Sequence, residues 1–326
     1  MDDNNAHILH ALQINDKGQA THLEGRAISE IIKNKQLAWV HFDAAHPETR
    51  VWLESEVPYL DSLIIDALLA DNTRPRIVEF EKGLLLILRG VNLNEGAAPD
   101  DMVSIRLWID ANRIISVRLR KLKAVDDIRT LLLQGKGPKN SADFLTALSS
   151  RLFERMEPVI TALDERSDDI EEKILDDPDI KERQEIIAIR KQAITLRRYI
   201  APQRDVLMHI RTCEMEWIDI IHKRRIQESY DRVTRYIEDL DMIRERSQIV
   251  KDELANALAD RLNKNMYVLS VIAAIFLPLG FLTGLLGINV GGIPGADNAQ
   301  SFMIFCGFLV TIVAIQVLIF KKMKWF

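Results

Sequence analysis

Cysteine is nearly absent, with Cys213 and Cys306 the only two in 326 residues. They sit in segments of different character, so no disulfide framework can be drawn and a reducing cytosol fits. Also missing are a glycine-rich phosphate loop, a GxSxG elbow, an HExxH helix and paired cysteines, which removes the sequence grounds for an enzyme. The opening MDDNNAHILHALQ is acidic and has no apolar core, so no secretory signal is expected. Neither glycine nor proline occurs between Pro202 and Pro278, and nothing there breaks a helix by backbone geometry. Charge is missing too. Residues 266–286 and 301–320 carry none, and Asp297 is the single charge from 266 to 320.

What is present divides the chain in two. All but one of the 48 acidic and all but three of the 43 basic residues lie before position 266. A large charged part with enough apolar residues for a core therefore precedes a small membrane part. The formal charge of −5 makes nucleic acid no expected partner, whereas membrane lipid is one. MYVLSVIAAIFLPLGFLTGLL (266–286) is long enough to cross a hydrocarbon layer of roughly 30 Å at about 1.5 Å per residue. SFMIFCGFLVTIVAIQVLIF (301–320) is a second such segment. Lys321, Lys322 and Lys324 follow it, with Trp325 as an interface anchor, and Arg261 and Lys264 precede the first. The connecting loop 287–300 has no Lys or Arg, so both termini are expected in the cytoplasm and the loop outside.

Ahead of the first span the pattern is helical. Ile226, Tyr230, Val233, Ile237 and Leu240 alternate at spacings of four and three, and Val250, Leu254, Leu258 and Leu262 carry the stripe on. The expectation is a stalk helix over 219–265, with Asp219 as its cap, continuing into the first span as one helix on the order of 100 Å long.

The rest reads as α+β. Residues 1–140 are expected to form an α/β domain. Its strand-like runs are HILHALQI, LAWVHFDA, RIVEFEKGLLLILRGVN and MVSIRLWIDANRIISVRLR. Gly83 and Ala111-Asn112 fall where hairpin turns belong. PYLDSLIIDALLAD and AVDDIRTLLLQ have helical spacing, and Lys136-Gly137-Pro138 closes the second. Residues 141–218 are expected as a helical hairpin: Ser141 caps one helix running to Asp176, Asp177-Pro178-Asp179 breaks it, and a second runs from Ile180 to Arg211.

Candidate chemistry is sparse. His7 and His10, three apart in a strand, point to opposite faces. His209 and Cys213 are four apart on a helix with Glu216 three further on, a spacing that offers zinc an incomplete ligand set and otherwise reads as packing near a helix end. Residues 164–185 hold eleven acids against four bases, either a cation lure or a solvated hairpin tip. Pro278 removes one hydrogen bond in mid-span, which membrane helices tolerate. Asn263 and Asn265 mark the inner border of the first span. The sharpest feature is Gly287-Ile288-Asn289 followed by Val-Gly-Gly-Ile-Pro-Gly (290–295), whose plain alternative is a glycine C-cap and a turn.

A C-terminal pair of spans, Gly-Ile-Asn ending the first, and a basic tail resemble the CorA superfamily of divalent-cation transporters. The Gly-Ile-Asn form, its loop, and Arg197-Arg198-Tyr199-Ile200-Ala201-Pro202-Gln203-Arg204-Asp205 are similar to the ZntB zinc-transport branch. The resemblance covers essentially the whole chain. It implies a funnel-shaped homopentamer in a bacterial inner membrane, a periplasmic loop over 287–300, and Zn²⁺ as cargo rather than cofactor. It also implies a pore lined by Asn263, Met266, Leu269, Ala273, Leu277, Gly280 and Asn289, with Thr283 and Ser270 at the edge of that set. Ile288 departs from the Gly-Met-Asn of the magnesium-transporting branch, and the loop lacks that branch's acidic residue. The alternatives are a magnesium, cobalt or nickel channel of the superfamily, or a membrane-anchored coiled-coil scaffold.

Overall fold

The computed structural model describes residues 6–322 except 35, 72, 177–179, 289–292, 294, 296 and 297. Cα packing divides the chain into two compact units, Met1–Asp252 and Glu253–Phe326. The first contains β1 (Ile8–Ile14), β2 (Ala20–His22), α1 (Arg26–Lys33), β3 (Ala38–Asp43), α2 (Glu48–Glu56), α3 (Ser62–Leu69), β4 (Arg76–Glu79) and β5 (Gly83–Gly90). It continues with β6 (Val103–Asp110), β7 (Arg113–Arg118), α4 (Lys123–Leu133), α5 (Ser141–Glu154), α6 (Glu157–Asp176) and α7 (Ile180–Thr212). Helix α8 (Ile220–Gly287) begins in the first unit and ends in the second, where α9 (Ser301–Lys322) follows.

The seven strands form one mixed sheet in the order β2-β1-β3-β7-β6-β5-β4. Only β3 and β7 run parallel; the other neighbours are antiparallel. Every residue of β5 and β6 is buried, because helices cover both faces. That is why GLLLILRG reads as an apolar run rather than an alternation. On one face Ala11, Val40, Phe42, Leu85, Trp108, Ile115 and Val117 pack with Ile28 and Ile32 of α1, Leu53 of α2, and Ile64, Ile65 and Leu68 of α3. On the other, Trp39 meets Phe144 of α5 edge-on at 4.8 Å.

Both expected hairpins form. Phe80 and Gly83 exchange backbone hydrogen bonds across the β4–β5 turn. A Cβ on Gly83 would stand 2.8 Å from the Ile109 carbonyl, so the close approach of β6 requires glycine there. At the β6–β7 turn the Asp110 carboxylate accepts from the Asn112 and Arg113 amides, each at 3.0 Å. The register of β1 shifts between Ile8 and His10. His7 lies near Phe42, His46 and Trp52, while His10 lies beside Trp39 and His41.

Four sequence expectations are corrected. The single helix from Ser141 to Asp176 is two, α5 and α6, with the turn at Arg155–Met156, because Pro158 in the first turn of α6 supplies no N–H to carry the helical ladder on from α5. Its cap is Asn140, whose side chain accepts from the Asp143 amide at 2.7 Å. Helix α4 closes at Gly135, with φ of 71°, rather than at Lys136-Gly137-Pro138. The elements β2, α1 and α2 were not anticipated: β2 has three residues, and α2 has too mixed a pattern to carry a period. The predicted break at Asp177-Pro178-Asp179 lies outside the described residues, flanked by α6 and α7 as expected. Asp219 caps α8, accepting from the Ile221 and His222 amides at 2.8 and 3.0 Å.

Helices α6, α7 and α8 are tied by charge as well as packing. Arg246 of α8 reaches Asp164, Asp168 and Glu171 of α6, and Arg166 reaches Glu185 of α7 at 3.4 Å. Four of the eleven acids of the 164–185 stretch, Asp164, Asp168, Glu171 and Glu185, are thus engaged in helix–helix contacts.

Acid should loosen this unit. Burial lowers the pKa of His10 to about 3, helped by Arg129, Arg118 and His22. Burial likewise lowers His41 well below its ordinary value, with His10 and Arg118 adding to it, and lowers His7 beside His46. Unfolded histidine takes up a proton near pH 6.5 that the folded side chains refuse, so stability is full above that pH and falls below it. For His10 the loss from pH 6.5 to 5 is roughly 2 kcal/mol. Urea unfolding followed at pH 7 and pH 5 should show the midpoint falling, and His10→Gln should flatten the slope; a pH-independent midpoint would contradict it.

Candidate functional site

The second unit supplies two helices long and apolar enough to cross a membrane, the carboxyl-terminal part of α8 and α9, and almost nothing of either apolar span is buried within the chain. Met266, Leu269, Phe276, Leu277, Phe281, Phe302 and Met303 are all more than half exposed. A buried core helix of a water-soluble protein would not show this. These faces need lipid or further protein.

The two helices are not equally bare all round. On α8 the less exposed positions are Val271, Ala274, Ile275, Pro278, Leu279 and Leu282, and on α9 they include Phe305, Leu309, Ile312, Val313, Gln316 and Phe320. Both sets follow the i, i+3, i+4 spacing of one helical face, so each helix turns one seam toward the other. At about 100° per residue, Met266, Leu269, Ala273, Leu277 and Gly280 cluster on the side of α8 opposite that seam. Asn263, Ser270 and Thr283 lie on its flanks. The Ser270 hydroxyl donates to the Met266 carbonyl at 2.8 Å and the Thr283 hydroxyl to the Leu279 carbonyl at 2.9 Å, so both are turned back onto their own helix.

Pro278 is accommodated by the partner helix. A proline at 278 cannot donate to the carbonyl of Ala274, four residues back. The Gln316 side-chain amide of α9 donates to that same carbonyl at 3.3 Å. In hydrocarbon, where water cannot serve, a neighbouring side chain thus takes the place of the missing N–H.

Gly287 is the last residue of α8, and a Cβ there would meet nothing within 4 Å. Ile288 is exposed just beyond the helix. Asn289, third of the motif, lies outside the described residues, as do Lys324 and Trp325 of the tail.

His209 and Cys213 point to different partners. The His209 Nε2 lies 2.9 Å from Glu79 of β4, and the buried Cys213 thiol donates to the Ile210 carbonyl at 3.2 Å. Burial pushes the Cys213 thiol upward in pKa, toward the protonated form that binds metal poorly. Helix α7 ends at Thr212, so the helical spacing to Glu216 is lost. Among the described residues no group of three or more His, Cys, Asp or Glu side chains is arranged to hold a metal ion. The Arg197–Asp205 stretch, by contrast, is a joint. Arg197 pairs with Asp241 of α8 at 2.7 Å, and Gln203 accepts from the Arg89 amide of β5 at 2.9 Å. Sequence reading marked this stretch only by resemblance. Its partners are 44 or more residues away in the chain, so no local pattern shows them.

A seven-stranded mixed sheet, a helical hairpin, a 68-residue helix that becomes a span, and a second span together define a CorA-like two-span membrane protein. The family model described as CorA-like Mg2+ transporter protein matches residues 34–322. The chain belongs to the CorA superfamily, on its ZntB branch. It is 37% identical over 317 residues to the zinc transport protein ZntB of Pectobacterium atrosepticum, covering 97% of this chain and 95% of the relative. It is also 37% identical over 301 residues to the divalent cation transporter CmaX of Pseudomonas aeruginosa, covering 92% and 90%. The solved structure of full-length CmaX superposes with a TM-score of 0.86 at 35% identity over the whole of both chains.

Proposed function

We propose that this protein is a divalent-cation transporter with zinc as its principal cargo, working as a homopentamer whose pore is lined by α8. The observation that supports this reading is the stripe Met266, Leu269, Ala273, Leu277 and Gly280, opposite the seam toward α9 and exposed among the described residues. Two spans cannot enclose a water-filled path, so copies must close around an axis. Each copy then turns α9 outward and this stripe inward. Rings of Met266, Leu269 and Leu277 form apolar constrictions that gate by dewetting, and Gly280 widens the path between them. None of these side chains replaces a hydration shell, so the cation travels hydrated. A ring of Asn289 amides at the outer mouth recognises its water by hydrogen bonds.

The membrane is a bacterial inner membrane, with both termini in the cytoplasm and Gly287-Ile288-Asn289 on the periplasmic side. An inside-negative potential favours entry of a divalent ion by about 4.6 kcal/mol per 100 mV, which makes uptake the easier passive direction. No Asp, Glu, Lys, Arg or His lies between 266 and 286, so a coupled proton travels with the ion's water or is handled at cytoplasmic histidines.

The test is metal-dependent flux into proteoliposomes. Zinc entry exceeding magnesium entry is expected; magnesium preference would move the protein to the other branch's activity, and no flux of any divalent ion would leave a membrane-anchored scaffold. For topology, a tag after Phe326 should be unreachable to an impermeant label in intact cells, whereas a cysteine placed in the 287–300 loop should react. The reverse pattern would invert the orientation.

A further inference from the structure

A cavity of about 240 Å³ in the first unit is lined by Asp71, Arg89, Met102, Ser104, Leu119 and Arg120, among others. Strand register places Arg89 of β5 directly opposite Ser104 of β6, and Arg106 follows on the same face two residues along. Both arginines are buried, Arg89 at 8% exposure and Arg106 at 0%. Among the described residues neither has a carboxylate in hydrogen-bonding contact. Arg106 Nη2 donates to the Ala70 and Asp71 carbonyls at 2.5 and 3.3 Å, while its Nε and Nη1 are enclosed with no partner. Arg89 donates from Nε and Nη2 to the Thr73 carbonyl, and from Nη1 to that of Met102. Its guanidinium rests on the Tyr199 ring at 4.2 Å. Of the five N–H groups of a guanidinium, Arg89 keeps one on each Nη that no described residue accepts.

Charge does not balance here. Arg120 at the rim is matched by Asp101. That leaves two buried cations against Asp71, whose side chain is exposed. Burial lowers the pKa of both arginines, and neighbouring arginines lower each further, while Tyr199 and Asp101 act the other way on Arg89 and Asp71 on Arg106. Neutral carbonyls satisfy donors but cancel no charge, and buried charge is ordinarily matched by an opposite one.

We propose that this cavity binds a small oxyanion of the phosphate class. The two free N–H groups of Arg89 form the fork that tetrahedral oxyanions accept, Ser104 supplies a hydroxyl, Arg120 guards the rim, and Arg106 provides the second balancing charge beneath. The phosphoryl group has two sources, free inorganic phosphate or a nucleotide. The cavity volume favours the former. Because the Arg89 amide donates to Gln203 of α7 and its guanidinium rests on the Tyr199 ring of the same helix, occupancy stiffens the joint between the sheet and that helix.

Melting of the purified full-length chain tests this in chloride buffer of fixed ionic strength, with inorganic phosphate titrated in. A saturating rise of about 3 °C is expected at millimolar phosphate. Asp71→Asn, which removes the competing carboxylate, should lower the concentration needed several-fold. Ser104→Glu, which places a carboxylate beside Arg89, should melt no lower than the parent and lose the phosphate response. A nucleoside monophosphate acting at lower concentration than phosphate would identify the bound group as part of a nucleotide. A rise that never saturates and is equal in all three proteins is the bulk effect of excluded salt and would overturn the proposal, as would no rise at all.

Discussion

Asn289→Ala is expected to reduce zinc flux roughly tenfold or more in a protein that still assembles. In the proposed ring, an asparagine amide would offer its carbonyl oxygen to the water shell of an arriving cation and its NH₂ to a neighbouring copy. Alanine removes both. Asn289→Asp keeps oxygen acceptors but adds a ring of negative charge at the mouth, which should hold the ion too tightly for release and also slow transport. Ser270→Ala is the matched control. Its hydroxyl is committed to the Met266 carbonyl, so flux should change little. Flux into proteoliposomes, with assembly verified by size-exclusion chromatography, decides the matter. Near-normal zinc flux in assembled Asn289→Ala would reduce Gly287-Ile288-Asn289 to a helix cap and a turn.

The second large effect is expected at Gln316, and it should depend on Pro278. Gln316→Leu leaves the Ala274 carbonyl without any donor inside the span, because proline cannot supply the helical N–H. A loss of about 1–2 kcal/mol is expected, the scale of hydrogen bonds between membrane helices. In a Pro278→Ala background the helix bonds that carbonyl itself, and the same Gln316→Leu change should cost little. Thermal melting of the four proteins in one detergent gives the coupling directly. Equal losses in both backgrounds would mean that Gln316 merely fills space against α8.

The parts of the fold that sequence revealed share one property: their signal is local. The two apolar segments, the breaker-free run leading into the first, and the β4–β5 and β6–β7 hairpins each announce themselves within some twenty residues. Where the reading slipped, a tertiary neighbour had decided. The α5–α6 break is covered by buried Met156, so apolar periodicity runs through it even though the backbone turns. Strand β2 has only three residues and exists because β1 gives it an edge to pair with. The apparent ligand spacing of His209 and Cys213 dissolved because Glu79, far back in the chain, takes the imidazole.

The candidate site divides in the same way. Sequence by itself determined that the chain has two spans joined by a loop without basic residues, and that a helix enters the first from the charged part. Composition and period decide those things, since lipid tolerates neither charge nor unpaired backbone. Composition and period could not determine which side of the first span stands free, and only the resemblance named one, because nearly every residue there is apolar and the amphipathic pattern that marks a face in water is gone. Only the seating of α9 against Val271, Ala274, Ile275 and Pro278 leaves Met266, Leu269, Ala273, Leu277 and Gly280 together on the open side. In an apolar solvent a helix face is defined by what packs on it, and that is a tertiary fact.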